Sequence, residues 1–257
     1  MLKKSKVLDR MRNGESVNCF KFNFDGHRVV QMVSMMGFDC LWTDMEHTPN
    51  GLAQIEKQVL AARANGMDII VRVTRGDYSD LVHPLEMDAS AIMVPHVMNA
   101  EQAKEIARMT KFHPVGRRPV DGGNADGAFC LVDFVEYTQF VNANRFVIAQ
   151  IEDPEAMEEL DAICAVKGID MIFFGPGDYS HGLGVPGQMS HPEVVNARIK
   201  VAECARKHGK LAGTTGSPET FAEYSKMGYH LINIGADVHA LNMYGKDLLE
   251  RFNRNNK

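Results

Sequence analysis

Polar and charged side chains follow four apolar runs of the sequence, at the point where each run ends. They are Asp44, Glu46, His47, Arg72, Gln150, Glu152 and Asp178. A charged residue that follows a strand is more often solvated than catalytic. Four such run ends become informative if the fold brings them to one edge of a sheet, because they then form a site.

Glu152 and Asp178 are the predicted metal ligands in this set. Two carboxylates with no cysteine nearby and one site histidine suit a hard divalent cation such as Mg²⁺ or Mn²⁺. The stretch GPGD places Gly175 and Gly177 shortly before Asp178, and Gly177 offers no side chain that would obstruct a ligand. A tight turn is an equally good interpretation of GPGD alone.

His47 and Arg72 have complementary chemistry. His47 is the member of the set whose ordinary pKa lies near neutrality, so it is the predicted proton carrier. Arg72 cannot act as a base at neutral pH, but it can stabilise a carboxylate or a developing oxyanion. We assign no Lys to the carboxyl end of any predicted strand, which argues against a Schiff-base mechanism.

Short apolar runs that alternate with segments of helical spacing must position these residues. The predicted strands are 16–22, 38–43, 68–73, 91–95, 146–151, 169–174, 210–215 and 230–234. The helical segments include 51–65, 100–109, 154–166, 190–208 and 217–227. Eight such alternations without a linker predict one (β/α)8 TIM barrel domain over 1–257, with its active site at the carboxyl ends of the strands. A doubly wound open sheet is the alternative, although no G-x-G-x-x-G follows the first strand.

Residues 112–131 do not fit a short connection. This stretch is rich in Gly and Pro and shows neither a helical nor a strand period. In a compact domain a loop of this length is usually a lid, a binding loop or an interface arm.

The bulk properties exclude several functional classes. The 257 residues carry a formal charge of −5, which gives no support for nucleic-acid or anionic-membrane binding. No apolar run approaches the roughly 20 residues that span a bilayer, and the N-terminus lacks the apolar core of a secretory signal. The five cysteines are predicted to be reduced core thiols of a cytoplasmic protein rather than a disulfide or zinc framework. Of the histidines without an assigned role, His96 and His208 show no metal-ligand spacing that we recognise.

The sequence resembles the class II pyruvate aldolases of the HpcH/HpaI type through nearly its whole length. The most specific stretches are GFDCLWTDMEHTPN, VRV, IMVPHVMNAEQA, QIEDPEAMEELDAICAVKGIDMIFFGPGDYSHGLGVPG and HPEV. The resemblance implies a barrel of the phosphoenolpyruvate/pyruvate-domain type, a swapped final helix and a homohexamer built from dimers.

The resemblance also implies a role for each matching position. His47 matches the catalytic histidine and Arg72 the arginine that stabilises the transition state. Gln150 and Gly177 match substrate-binding positions, and Glu152 and Asp178 match the ligands of a divalent cation (Mg²⁺, Mn²⁺ or Co²⁺), Asp178 also contacting substrate. Glu86 falls where the family has an acidic residue that raises the basicity of the histidine, with Asp88 two residues further on. The departures are Pro119, Gly177 and His96, which stand where relatives commonly have Gly, Ala and an apolar residue.

These observations predict a metal-dependent aldolase that reversibly cleaves a 4-hydroxy-2-oxo acid to pyruvate and an aldehyde. A decarboxylase of oxaloacetate-like acids is a rival hypothesis, because loss of carbon dioxide forms the same enolate. Two further hypotheses stay open, namely an acyl-CoA lyase of the wider superfamily and a ligand-binding barrel without turnover. The expected partners are a small 2-oxo acid, an aldehyde and further copies of the chain.

Overall fold

A closed barrel of eight parallel strands forms the centre of the molecule. The computed structural model describes residues 2–256. The strands are β1 (Val17–Phe22), β2 (Cys40–Asp44), β3 (Asp68–Arg72), β4 (Ala91–Val94), β5 (Phe146–Ile151), β6 (Met171–Phe174), β7 (Leu211–Thr215) and β8 (Leu231–Ala236). Each pairs with its neighbours in chain order, and β1 closes the ring against β8. The (β/α)8 barrel predicted from the alternating runs is therefore confirmed.

Eleven α-helices accompany these strands in the described residues. They are α1 (Lys6–Arg12), α2 (His27–Val33), α3 (Leu52–Ala64), α4 (Tyr78–Glu86), α5 (Ala100–Thr110), α6 (Phe134–Asn144), α7 (Leu160–Cys164), α8 (Pro176–Gly182), α9 (Pro192–Lys207), α10 (Phe221–Met227) and α11 (Asp237–Asn255). The helix predicted over 154–166 is split into a 3₁₀ segment, Pro154–Glu158, and the short α7. Among residues 2–256 there is no helix whose length and apolar content would let it traverse a bilayer.

The barrel interior is filled by side chains from alternate strand positions, as the two-residue period of a strand requires. Trp42 and Phe173 meet edge to face there, with ring centroids 5.6 Å apart. At the amino ends of the strands the interior is closed by α1, whose Val7, Leu8 and Met11 pack into the same apolar cluster. No helix was predicted from the sequence at the position of α1.

The segment 112–131 is ordered by a buried ion pair instead of a regular period. Arg118 and Asp126 are both fully buried and lie 2.7 Å apart, and the hydroxyl of Tyr137 donates to Asp126 at 2.9 Å. The segment contains a 3₁₀ turn, Ala125–Cys130, and packs against α4. Phe129 and Leu131 remain exposed, so this surface is unusually apolar for the face of a monomer.

The last helix, α11, leaves the barrel at the carboxyl end of β8. Its first residue, Asp237, is buried and accepts hydrogen bonds from the backbone N–H groups of Asn23 and Phe24 at 2.9 and 3.0 Å. Beyond that anchor the helix is exposed within the described chain, including the apolar side chains of Leu241, Tyr244, Leu248 and Phe252. Their spacing of three or four residues places them on one face.

Candidate active site

A cavity of about 580 Å³ opens at the carboxyl ends of the barrel strands. Its volume suits a small-molecule ligand. Trp42 and Phe173 contribute the apolar lining, and polar groups arrive from the strand ends around them. Six of the predicted site residues line this cavity: His47, Arg72, Gln150, Glu152, Gly177 and Asp178.

The turn after β2 is folded by the last residue of the strand. The backbone carbonyl of Asp44 accepts hydrogen bonds from the hydroxyl of Thr48 and from the side-chain amide of Asn50. The carboxylate of Asp44 accepts the backbone N–H of Glu46 at 3.0 Å. These contacts explain why a buried strand ends in polar residues, since they hold Glu46 and His47 at the mouth of the barrel.

Arg72 is fixed by two carboxylates. Its Nε and Nη2 donate to the two oxygens of Asp44 at 2.9 and 2.5 Å, and its Nη1 lies 3.0 Å from Oε2 of Glu46. Burial alone would raise the pKa of Asp44, but the hydrogen bonds and charges of Arg72 and Lys21 lower it to about 2. The planar guanidinium is therefore held in one orientation, with one N–H on each terminal nitrogen still free to donate.

Lys21 corrects the prediction that no Lys stands near the carboxyl end of a strand. It is the fifth residue of β1, and its Nζ lies 2.9 Å from Oδ2 of Asp44 and 5.0 Å from the centre of the Trp42 ring. The side chain lines the cavity. Because Val17 and Cys19 point into the barrel, the two-residue period of the strand would have placed Lys21 there as well.

Glu152 is a buried carboxylate at the end of β5. Burial raises its pKa to about 7, and the charges of Glu46 and Asp178 act in the same direction. Its Oε2 accepts a hydrogen bond from the side-chain amide of Gln150, whereas Oε1 of Gln150 is buried without a hydrogen-bond partner. Gly175 permits this packing, because a Cβ there would lie 2.6 Å from Oε2 of Glu152.

His96 is a second histidine beside the predicted metal ligand, so the expectation of a single site histidine was wrong. Its backbone N–H donates to Oε1 of Glu152 at 3.0 Å, and its Nδ1 lies 2.9 Å from Asp153. Its Nε2 is 3.4 Å from Oε1 of Glu46. The backbone of His96 has a φ of 51°, which is uncommon for a residue with a Cβ.

Asp178 and Gly177 occupy the first turn of α8, directly after β6. Both are exposed and face the cavity, and the space next to Gly177 would accept a Cβ without contact. Asp178 raises the pKa of Glu152 through its charge, so the two carboxylates are close enough to interact. The tighter cluster around Glu152, however, is the one with Glu46 and His96, whose ligand atoms lie within 4.8 Å of one another.

His47 and Glu86 are not brought together within one chain. The His47 side chain is 53% exposed, and its Nε2 lies 3.7 Å from Glu46. Glu86 ends α4 and is not among the residues that line the cavity; burial raises its pKa, with Arg118 and Asp126 among its charged neighbours. Asp88 is ion-paired with Arg63 and Arg145.

Polar groups on β7, on β8 and in the residues that follow them complete the lining, and they were not among the predicted site residues. They are Thr215, Ser217, Asn233 and His239. Their hydroxyl, amide and imidazole groups can form hydrogen bonds with a polar substrate in the cavity. Thr215 and Asn233 lie in the predicted strands 210–215 and 230–234, so they could have been found from the sequence, whereas Ser217 and His239 lie beyond the ends of those strands.

The residues around Glu152 fit a divalent cation. Glu46, Glu152, Asp153 and Asp178 are four carboxylates in one neighbourhood, and Oε1 of Gln150 is buried without a hydrogen-bond partner. A cation would lower the cost of holding this charge together. The donor set is mainly oxygen, with one imidazole nitrogen within reach.

Comparisons of the sequence and of the structure with known proteins all point to one family. The family model for HpcH/HpaI aldolase/citrate lyase matches residues 22–242. A hydroxypyruvate/pyruvate aldolase of Roseobacter denitrificans is 32% identical over 225 residues, which cover 86% of this chain and 87% of that protein. A 4-hydroxy-2-oxo-heptane-1,7-dioate aldolase of Shigella sonnei is 32% identical over 223 residues, which cover 86% and 85%. The crystal structure of an HpcH/HpaI aldolase from Desulfitobacterium hafniense superposes with a TM-score of 0.90 at 29% identity, covering 95% of both chains.

Proposed function

The chain belongs to the HpcH/HpaI aldolase/citrate lyase family, and we propose that it is a metal-dependent aldolase that reversibly cleaves a 4-hydroxy-2-oxo acid to pyruvate and an aldehyde. It is a carbon–carbon lyase, as are the relatives named aldolases. The observation that carries the proposal is the convergence of Arg72, Glu152 and His47 on one cavity at the barrel mouth.

Glu152 and Asp178 are the proposed ligands of the cation, with Mg²⁺, Mn²⁺ or Co²⁺ as the candidates. When bound, the cation would supply Lewis-acid stabilisation of the negative charge that develops on the 2-oxo group. Support comes from the buried position of Glu152 and from the surplus of carboxylates around it.

Arg72 and Gln150 are the proposed groups that bind and orient the 2-oxo acid. Arg72 keeps two N–H groups free after its contacts with Asp44 and Glu46, so it can donate to a substrate oxygen in a fixed direction. Gln150 offers a side chain already anchored to Glu152, and the backbone N–H of Gly177 has no side chain above it.

His47 is the proposed base that removes the proton from the 4-hydroxyl group and returns it in the reverse direction. Its exposed ring at the cavity mouth can approach a substrate hydroxyl, and Glu46 lies beside it. Glu86 does not approach His47 within one chain, so the role that the resemblance gives Glu86 requires another subunit to bring the two together.

We also propose that the chain assembles as a homohexamer, a trimer of dimers, with α11 exchanged between subunits. The exposed apolar face of α11 supports this assembly, because a helix with such a face is normally packed against a partner. The exposed Phe129 and Leu131 extend the apolar surface near Glu86.

The decarboxylase and acyl-CoA lyase hypotheses are not favoured. The relatives with about 30% identity over most of their length are named as aldolases of pyruvate, hydroxypyruvate or 4-hydroxy-2-oxo acids. Oxaloacetate nevertheless belongs in the panel of test substrates, because release of carbon dioxide without aldol cleavage would revive the decarboxylase.

A panel of 4-hydroxy-2-oxo acids assayed for pyruvate release tests the proposal. We expect activity on at least one member, loss of that activity with EDTA, and recovery with Mg²⁺, Mn²⁺ or Co²⁺. Asp178→Asn should weaken cation and pyruvate binding together, both measured by calorimetry, while the exposed Asp25→Asn serves as the control. Full activity in exhaustively chelated and metal-analysed protein would refute a metal-dependent mechanism.

A further inference from the structure

Two helices on the outside of the barrel present four metal-binding side chains to each other. Asp161 and Cys164 are three residues apart in α7, and Cys204 and His208 are four apart at the end of α9. Residues three or four apart on a helix lie on the same face, and α7 packs against α9. None of these four residues lines the cavity at the barrel mouth.

The side chains meet closely. Nε2 of His208 lies 2.9 Å and Sγ of Cys204 lies 3.8 Å from the same oxygen of Asp161, and the ligand atoms of these three residues lie within 4.8 Å of one another. Cys164 lies beside Cys204, close enough for the second thiol to influence its pKa, but its sulfur is not among the three ligand atoms that lie within 4.8 Å of one another. Ordinary zinc bond lengths imply ligand–ligand separations of about 3.3–3.7 Å in a tetrahedron, so small rotations of these three side chains suffice, and the Cys164 side chain must turn towards them to complete the set.

The four residues of the cluster differ in how deeply they are buried. Cys164 is fully buried, Cys204 and His208 are half-buried, and Asp161 is exposed, so an ion would enter from the Asp161 side. Burial raises the pKa of both thiols, which therefore need a cation to ionise. Lys207 now supplies positive charge to the site, with its Nζ 2.5 Å from Asp161.

We propose that Asp161, Cys164, Cys204 and His208 form a structural site for Zn²⁺ that ties α7 to α9. Two thiolates, an imidazole and a carboxylate make a borderline-soft tetrahedral set, which suits Zn²⁺ and not the hard cation proposed at the barrel mouth. Binding releases the two thiol protons and displaces Lys207 from Asp161. Zinc binding would stabilise α7, because a helix of only five residues cannot be stable without tertiary contacts. The site does not depend on the proposed aldolase activity.

The test uses the full chain carrying Glu152→Gln and Asp178→Asn, so that the cation site at the barrel mouth does not contribute. After reduction and chelation, we expect one equivalent of Zn²⁺ to bind and to raise the melting temperature. Co²⁺ in its place should give the visible bands of a tetrahedral ion together with a thiolate-to-cobalt charge-transfer band. Cys204→Ser and His208→Gln should each lose most of the zinc affinity, and Cys204→Ser should weaken the charge-transfer band.

Two control variants sharpen the result. Cys130→Ser removes an exposed thiol elsewhere and should leave zinc binding unchanged. Lys207→Gln removes the competing cation and should preserve or tighten binding. Zinc binding that persists undiminished in both Cys204→Ser and His208→Gln, or a Cys164–Cys204 disulfide in the protein as isolated, would overturn the proposal. The absence of a thiolate–cobalt band from the reduced protein would do the same.

Discussion

Arg72 is the residue whose surroundings most restrict its role. A side chain that served only to neutralise Asp44 would not need a third contact with Glu46, nor a position in the cavity lining. Asp44 accepts hydrogen bonds from Nε and Nη2 of the guanidinium, and Glu46 lies beside Nη1. The remaining N–H groups can donate to a substrate oxygen. The arginine is therefore oriented before substrate arrives, which is the condition for efficient charge stabilisation.

Arg72→Lys should lower kcat by about 10²–10³, the usual cost of losing a preorganised oxyanion donor. Lysine keeps the charge near Asp44 but cannot reproduce the planar fork. Pyruvate affinity, measured directly by calorimetry, should fall much less than kcat. The exposed Arg28→Lys is the matched control. An unchanged kcat with weakened pyruvate binding would assign Arg72 to anchoring of the ground state instead.

Lys21 places an amine in the cavity, so a Schiff-base mechanism has to be tested against the metal-dependent one. Its Nζ lies 2.9 Å from the Asp44 carboxylate, so the amine is already engaged in a contact within the protein. We expect borohydride in the presence of pyruvate to leave both the protein mass and the activity unchanged. A reduced pyruvate adduct on the peptide that carries Lys21, absent from Lys21→Met, would establish a Schiff base.

The polar residues after the strands could be predicted because parallel strands of a barrel deliver their carboxyl ends to one face. His47, Arg72, Gln150, Glu152, Gly177 and Asp178 reach the cavity for that reason. Lys21 was overlooked although the strand period points it inward. His96 could not be foreseen, because its position depends on a left-handed backbone conformation after β4 that the sequence does not signal.

At the scale of elements, 112–131 differs most from its sequence-based description. Its composition correctly indicates a long irregular connection, but not the buried pair of Arg118 and Asp126 that organises it, since no periodic pattern relates the two positions. No residue of this segment lines the cavity of the described chain, which leaves assembly as its better-supported role. The exposed apolar side chains of Phe129 and Leu131 fit that role.

Arg118→Met should destabilise the protein by about 3–5 kcal/mol, because it leaves the Asp126 carboxylate buried without its partner. Chemical denaturation followed by circular dichroism measures the loss. Arg118→Met combined with Asp126→Asn removes both charges and keeps an acceptor for Tyr137, so it should recover most of the stability. Equal instability of the single and the double variant would show that the ion pair does not organise the segment.

At the scale of the whole molecule, the barrel strands are buried within one chain, whereas most of α11 is exposed. The eight strands form one closed sheet, and α1 covers one end of the barrel interior. In contrast, α11 is held to the barrel at Asp237 and presents a stripe of apolar side chains to solvent. The alternating pattern of the chain predicts the barrel, but it does not predict what packs against that stripe.

The proposed hexamer therefore makes a prediction that centres on this stripe. Leu248→Glu with Phe252→Glu should convert the hexamer to smaller folded species, measured by light scattering, because each new carboxylate would be buried against the partner. Lys246→Glu lies on the opposite face of α11 and makes the same change in formal charge, so it should leave the assembly intact. If Glu86 acts on His47 across an interface, the dissociated variant should also lose kcat while its cavity still binds pyruvate. A wild-type protein that is monomeric, or a double variant that remains hexameric, would remove α11 from the assembly.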